Sequence, residues 1–186
     1  MLQDNPDITP ITPTAQMKAH THGGRAKCLQ RLVRLDMPVP TTVALSFETV
    51  HGIASGHMPD MAEILAAFPE GALLCVRPSS QDPDWGGPGA ILNIGMNDAR
   101  YVEMCDTLGR HAASALYARF VEAYALHVAR LDPDVFEEIT AEGPQALSEA
   151  LRAYEDEAEE PFPQDPAAQL AQVLRSMARA WEGTTA

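Results

Sequence analysis

A cation stands at the predicted start of a helix, an arrangement suited to binding an anion. Gly23-Gly24-Arg25 precedes apolar residues that recur at helical spacing, which predicts a helix from about Gly24 to Leu35. The helix dipole favours negative charge at this end, so an arginine there is explained if the dipole and the guanidinium both face one bound anion. The alternative is that Arg25 extends into solvent.

A second arginine, Arg77, follows the apolar run 72–76, which is predicted to be a short buried strand. The loop after it contains Gly86, Gly87 and Gly89 together with prolines and serines. A cation beside a glycine-rich backbone is a common way to bind a phosphate group. An ordinary surface loop between two strands is the alternative, since glycine and proline mark loops of any function.

The other side chains that could hold a metal ion or catalyse a reaction form no known motif. The acidic run Glu155–Glu160 places carboxylates all round the end of a predicted helix, which indicates a solvated surface. His20 and His22 alternate in sequence but lack a third ligand. We therefore predict no metal site and no catalytic residue in this chain.

The charge and the cysteines limit the classes of partner and compartment. The 186 residues include 13 Lys and Arg against 26 Asp and Glu, a net charge of −13, which argues against a nucleic-acid-binding surface. No stretch has the roughly 18 apolar residues of a membrane span, and the N-terminus has no apolar signal core. Cys28 and Cys75 stand in apolar runs, so we expect buried thiols and a reducing, cytoplasmic compartment.

The periodicities predict an α+β protein whose first part is an α/β layer of helices and strands. Predicted strands lie near 8–11 and at 42–45, 72–76 and 91–94, and predicted helices at 24–35, 46–54 and 61–68. After Asp98 only helices are predicted, at about 109–131, 144–159 and 166–181. The expected domains are an α/β unit, residues 1–108, and an all-helical unit, residues 109–186.

Three stretches together resemble the N-terminal nucleotide-binding domain of the pyruvate phosphate dikinase family, which has an ATP-grasp fold. Gly23-Gly24-Arg25 through Pro38-Val39-Pro40 resembles that family's Gly-Gly-Lys-Gly helix and Leu-Pro-Val-Pro-Pro turn. Leu74-Cys75-Val76-Arg77 through Leu92-Asn93-Ile94-Gly95-Met96-Asn97-Asp98 resembles its Val-Ser-Val-Arg-Ser strand, its glycine-containing loop and its Leu-Asn-Leu-Gly-Leu-Asn-Asp segment. Arg119-Phe120 through Phe162-Pro163-Gln164 to Trp181 resembles the helical insert next in that family's sequence. The match is collinear over nearly the whole chain.

The resemblance implies the first part of an ATP-grasp domain, a small mixed sheet with helices, followed by a helical subdomain. In that family the complete protein uses ATP and Mg²⁺ to phosphorylate a histidine in a separate domain, and the phosphoryl group then passes to pyruvate. The family's phosphate-contacting lysine and arginine correspond to Arg25 and Arg77. Its loop corresponds to the segment that contains Gly86, Gly87 and Gly89, so these five residues are the expected nucleotide-binding residues.

Several positions depart from the family pattern. Arg25 replaces the lysine, Gln81 the second loop arginine and Gly89 the loop aspartate, while Asp82 and Asp84 add negative charge. The family's metal-binding carboxylates and adenine pocket lie after the helical insert, where this sequence ends. We therefore expect a piece of a larger polypeptide that binds ATP weakly or not at all and is inactive as a kinase alone. The alternative is a degenerate homologue that acts as a non-catalytic binding or regulatory module.

Overall fold

The computed structural model of the protein describes residues 8–82 and 87–185, and the packing of the Cα atoms divides the chain into two units. Residues 1–70, 77–89 and 177–186 belong to the first unit, and residues 71–76 and 90–176 belong to the second. Each unit thus combines segments that are distant in sequence, whereas the sequence suggested one boundary between residues 108 and 109.

The described residues of the first unit form two short strands and three helices, together with the end of the last helix of the chain. Its elements are β1 (Ile8–Pro10), α1 (Ala19–Arg34), β2 (Val43–Leu45), α2 (Phe47–Ala54) and α3 (Met61–Leu65). β1 and β2 pair antiparallel, with Ile8 opposite Leu45 and Pro10 opposite Val43.

Helix α1 is kinked at Gly23, where φ is 82° and ψ is 165°. The segment that begins at Gly24 agrees with the helix predicted from the apolar spacing. On its inner side, the fully buried Gln30 donates from Nε2 to the carbonyl oxygens of Thr12 (3.1 Å) and Ala15 (2.6 Å). Because a buried amide needs hydrogen-bond partners, these contacts fasten the segment before α1 to the helix.

The second unit contains one antiparallel pair of strands and a set of helices. Its elements are β3 (Leu74–Val76), β4 (Ile91–Ile94), α4 (Asp98–Leu108), α5 (Arg110–Tyr124), α6 (Pro133–Glu137), α7 (Gly143–Ala158) and the first part of α8 (Pro166–Thr185). A π-helical segment, Ala125–Ala129, continues α5. In the described part of the chain every residue range assigned to a strand ends by Ile94, which confirms the prediction of helices alone after Asp98.

Phe162, in the connection between α7 and α8, lies in the aromatic core of the second unit. Its ring contacts those of Tyr117, Phe120, Tyr124 and Tyr154 edge-on, with centroid distances of 5.9, 5.5, 5.3 and 5.2 Å. All five side chains are buried. Edge-to-face contacts of this kind stabilise aromatic cores beyond simple burial, so Phe162 links α5 and α7 to the start of α8.

The expectation of one small mixed sheet is wrong for the described residues. Their strands form two separate antiparallel pairs, β1 with β2 and β3 with β4. Apolar runs in a sequence predict strands but do not determine which strands pair, because pairing depends on contacts between distant segments.

The expectation that Cys28 and Cys75 are buried is also wrong, since both are exposed. Side chains alternate across a strand, so Cys75 points away from the face on which its neighbour Leu74 is buried. In α1, the buried residues Ala26 and Gln30 are each two positions from Cys28, which therefore lies on the opposite face of the helix.

The helix predicted from residue 109 to residue 131 has different limits in the structure. Gly109, with φ of 81°, separates α5 from an earlier helix, α4, which the sequence did not predict. Tyr101, Met104, Cys105 and Leu108 of α4 recur at helical spacing, although none of the residues of this helix is buried. No helix within the described ranges combines the length and the apolar character needed to cross a membrane.

Candidate anion-binding site

The loop after β3 lies against the start of the longer segment of α1, within the first unit. The N–H of Gly24 donates to the carbonyl of Ser80 at 2.7 Å, and the N–H of Ala26 donates to Ser79 Oγ at 3.4 Å. A helix start leaves its first N–H groups without intrahelical partners, and the loop thus pairs two of them. The two arginine-bearing segments singled out in the sequence lie side by side.

Gly23 makes this close approach possible. A Cβ atom added at Gly23 would lie 2.2 Å from Ser79 Oγ and 2.8 Å from the carbonyl carbon of Ser79, and φ is +82°. A Cβ atom added at Gly24 would lie 3.5 Å from the carbonyl oxygen of Ser80, an ordinary contact. Of the glycine pair, Gly23 is therefore the residue that both the backbone conformation and the packing require.

Arg25 and Arg77 are both exposed. Nη1 of Arg25 donates to the carbonyl of Pro78 at 2.9 Å. Since Pro78 follows Arg77 directly, the guanidinium of Arg25 lies one residue from the backbone of the second arginine. This contact uses one of the five N–H groups of a guanidinium.

Residues 78–80, called the 78–80 segment, present three consecutive carbonyl groups that all accept hydrogen bonds. The donors are Arg25 Nη1 to Pro78 (2.9 Å), Trp181 Nε1 to Ser79 (3.3 Å) and Gly24 N to Ser80 (2.7 Å). These donors come from α1 and from the end of α8, both in the first unit. The backbone of the segment beside Arg77 is therefore held by several independent contacts.

Of the three glycines expected to contact a nucleotide, Gly87 and Gly89 are among the described residues. Gly86 lies outside the described residues. Gly87 is half-buried and Gly89 is exposed. A Cβ atom added at Gly89 would meet no atom within 4 Å, so this position has room for a larger side chain.

His22 directly precedes the kink in α1 and is 7% exposed. Its Nδ1 lies 2.8 Å from Thr21 Oγ1, and Nε2 has no hydrogen-bond partner among the described residues. Burial lowers the pKa of His22 below its ordinary value, because removal from water disfavours the charged imidazolium. The histidine is therefore a neutral, packed side chain at neutral pH.

In the second unit, the buried Gln169 joins two of the stretches on which the resemblance rests. Its Oε1 accepts from the N–H of Gly95 at 2.8 Å, and its Nε2 donates to the carbonyls of Met96 (2.9 Å) and Pro163 (2.7 Å). The amide thus holds the turn after β4 against the segment before α8. Sequence reasoning gave Gln169 no role, because a glutamine in a sequence is typical of the protein surface.

Gln164 makes a second link between the same stretches. Its Oε1 accepts from the N–H of Asp98 at 2.9 Å, and its Nε2 donates to the Tyr117 hydroxyl at 3.1 Å. That hydroxyl donates to Asp98 Oδ1 at 3.0 Å. Burial, with a smaller contribution from Asp98, raises the pKa of Tyr117, so the phenol stays protonated. These contacts give Asp98 and Gln164 a structural role.

Among residues 8–82 and 87–185, no group of three His, Cys, Asp or Glu side chains could hold a metal ion. The described residues do offer cationic groups, Arg25 and Arg77, that suit an anion.

Comparison with models of known protein families gives no match, and comparison with curated proteins gives none either.

Proposed function

We propose that the protein is the N-terminal part of a phosphotransferase of the pyruvate phosphate dikinase type and contributes phosphate-contacting residues to an ATP site. The observation that supports this most directly is the contact between Gly24-Arg25 and the 78–80 segment. The resemblance assigns these two segments to one phosphate site. They are neighbours, although they are more than fifty residues apart in sequence.

In this proposal Arg25 and Arg77 act through charge and hydrogen bonding. Planar guanidinium groups bind phosphate oxygens in a bidentate manner and stay charged at all physiological pH values. They would orient the triphosphate and stabilise the negative charge that develops on the transferred phosphoryl group. Gly86, Gly87 and Gly89 would allow the backbone to approach the phosphates closely. Mg²⁺ that entered with the nucleotide would supply positive charge to offset that of the phosphates.

We expect the chain alone to be inactive as a kinase, because the resemblance places the family's metal-binding carboxylates after the helical insert. Partner segments of a larger polypeptide would supply the metal ligands and the phosphoryl acceptor. Sequence downstream of Ala186 that continues into a carboxylate-bearing, glycine-rich segment would support this function.

Binding to the isolated chain is best measured by a method that detects weak complexes. For a Kd of about 20 mM, 5 mM Mg·ATP adds only about 0.1 kcal/mol to the free energy of unfolding, a melting shift below about 1 °C. We therefore expect no clear melting shift at millimolar nucleotide. A shift of several degrees would show that the isolated chain binds ATP far more tightly than proposed.

The direct test is an NMR titration with tripolyphosphate at constant ionic strength. The amide resonances of Gly24, Gly87 and Gly89 are expected to shift, and the shifts should be lost in Arg25→Gln and Arg77→Gln. Arg152→Gln is the matched control, because Arg152 is an exposed arginine of the second unit. Shifts that appear elsewhere, or that survive both substitutions, would contradict the proposed function.

A second candidate function, a non-catalytic module descended from the same family, is favoured by one observation. The N–H groups of Gly24 and Ala26 are paired with Ser80 and Ser79, and a phosphate cannot use them at the same time.

The double variant Gln81→Arg with Gly89→Asp restores the residues of the family pattern at two exposed positions. Tripolyphosphate shifts in this variant but not in the natural chain would identify the module. Shifts in the natural chain would identify the phosphotransferase part.

A further inference from the structure

We propose that Trp181 is a positioning residue for the candidate anion site. Its indole N–H fixes the carbonyl of Ser79 and so holds the 78–80 segment against the start of α1. The consequence for anion binding rests on the proposed function, whereas the positioning itself rests on the contacts of the indole and of Ser79.

The orientation of the Trp181 ring is set by its neighbours in the first unit. The indole is half-buried and packs against the ring of Phe47, with centroids 5.1 Å apart and planes inclined by 34°. Nε1 lies 3.3 Å from the carbonyl oxygen of Ser79. A tryptophan combines a large apolar surface with one hydrogen-bond donor, so packing of the ring determines where the donor points.

The neighbouring residue, Glu182, makes a separate contact with α2 at the surface. Glu182 Oε1 lies 2.9 Å from Nδ1 of His51, a residue of α2. Phe47, the first residue of α2, contacts Trp181. Two consecutive residues at the end of α8 therefore contact α2, and of these two Trp181 carries the hydrogen bond to the 78–80 segment.

Ser79 is the residue through which this contact reaches the helix start. Its Oγ accepts from the N–H of Ala26, and the next carbonyl, that of Ser80, accepts from the N–H of Gly24. The Ser79 carbonyl and the Ser80 nitrogen belong to one planar peptide group, so fixing that carbonyl restricts the rotation of the whole peptide. Trp181 thereby influences which N–H groups at the start of α1 are paired and where the backbone beside Arg77 lies.

The first test measures the protein without ligand. Trp181→Phe keeps an aromatic ring beside Phe47 and removes the N–H donor. We expect hydrogen exchange of the Gly24 amide to become roughly five- to tenfold faster, the effect of losing about one hydrogen bond. His51→Gln is the control, because it removes the contact with Glu182 and leaves the indole in place; Gly24 exchange should then match the natural chain. If Trp181→Phe folds and Gly24 exchanges at the natural rate, the positioning role is overturned.

A measurement on the natural chain covers the case in which Trp181→Phe does not fold. The indole N–H of Trp181, assigned by comparison with Trp85→Phe, should exchange with solvent several-fold more slowly than that of free tryptophan. Exchange at the free rate would contradict the hydrogen bond to Ser79 and overturn the proposal.

A third test measures the affinity of the natural chain and of Trp181→Phe for tripolyphosphate at constant ionic strength. If the natural chain binds it, Trp181→Phe should weaken the affinity several-fold, with a melting temperature close to that of His51→Gln. Equal affinity in both proteins would overturn the role of Trp181 in the anion site. If tripolyphosphate shifts no resonance in the natural chain, the proposed function fails, and Gly24 exchange still decides whether Trp181 positions the loop.

Discussion

At the scale of single residues, Gly23 connects local backbone conformation to the candidate site. Its φ of 82° and ψ of 165° lie in a region that residues with a Cβ atom rarely adopt, and a Cβ atom would overlap Ser79. We expect Gly23→Ala to lower the free energy of unfolding by roughly 2–4 kcal/mol, measured by urea denaturation.

Substitutions at two other glycines separate the conformational cost of Gly23→Ala from the cost of the overlap with Ser79. Gly56 has φ of +99° but no atom within 4 Å of an added Cβ, so Gly56→Ala measures the conformational cost alone, about 1 kcal/mol. Gly24 has ordinary space and no positive φ, so Gly24→Ala should change stability little. If Gly23→Ala costs no more than Gly56→Ala, the overlap with Ser79 has been overestimated.

His22 predicts a pH dependence of stability. Burial lowers its pKa in the folded state, so below the unfolded value of about 6.5 the unfolded chain binds more protons. Its contribution to stability is therefore present above pH 6.5 and is lost as the pH falls below that value, with a slope of at most about 1.4 kcal/mol per pH unit. His22→Gln should remove this part of the slope. His20→Gln, at an exposed position in the same turn, should retain it; equal slopes in the two variants would contradict the assignment.

The residues of the candidate site differ in how far the sequence could identify them. Arg25 and Arg77 could be singled out because a cation beside glycine is a local pattern. Ser79 and Trp181 could not, since their contacts join segments that are 102 positions apart. Gln169 shows the same limit: its buried amide is recognisable only when the backbone groups around it are known.

At the scale of elements, Gln169 joins the turn between β4 and α4 to the segment that leads into α8. Its amide pairs one N–H and two carbonyls in a site with no exposure to water. Gln169→Leu keeps the approximate volume and leaves these groups without partners. We expect a loss of roughly 2–4 kcal/mol in urea denaturation and faster exchange of the Gly95 amide.

Gln145→Ala is the matched control for that substitution. Gln145 is exposed on α7 and bonds only to Glu149 among the described residues, at 2.9 Å. An exposed pair of this kind contributes a few tenths of a kcal/mol at most. A loss for Gln169→Leu as small as that for Gln145→Ala would show that water or backbone rearrangement replaces the lost hydrogen bonds.

Elements with a strong local signal were predicted well. A helix was predicted at residues 46–54, and Ser46 caps α2 there, since its Oγ accepts from the N–H of Thr49 at 3.1 Å. The apolar residues that predict the last helix are Leu170, Val173, Leu174, Met177 and Trp181; the first four are buried and Trp181 is half-buried. α4 was missed although Tyr101, Met104, Cys105 and Leu108 recur at helical spacing and Asn97 Oδ1 caps the helix by accepting from the N–H of Arg100.

At the scale of the whole molecule, the order of residues along the chain does not follow the order of packing. β3 belongs to the second unit, while the residues on both sides of residues 71–76 belong to the first. The change in character after Asp98 marks the end of the strands, which is a local property. The unit to which a residue belongs depends on long-range contacts. A domain boundary inferred from the sequence therefore need not coincide with the boundary between the two packed units.

The net charge of −13 predicts how the stability of the whole protein depends on salt. Like charges held together in a folded chain repel one another, and added ions screen this repulsion over a distance of about 10 Å at 0.1 M. The ion pair Arg152–Asp156 joins exposed side chains at 3.6 Å, and pairs of this kind contribute little to stability. We therefore expect the midpoint of urea denaturation to rise as NaCl is increased from 10 to about 300 mM.

The acidic run at the end of α7 provides the control for this last prediction. Glu155 and Glu157 are exposed, and replacing both by glutamine changes the net charge from −13 to −11 while leaving the Arg152–Asp156 pair in place. The variant should be more stable than the natural chain at 10 mM NaCl and should gain less from added salt. A midpoint that falls with salt in the natural chain would mean that attractive pairs, rather than the excess of carboxylates, dominate its electrostatics. Anion titrations that test Arg25 and Arg77 must therefore be made at constant ionic strength, because added salt alone is expected to change the stability of the protein.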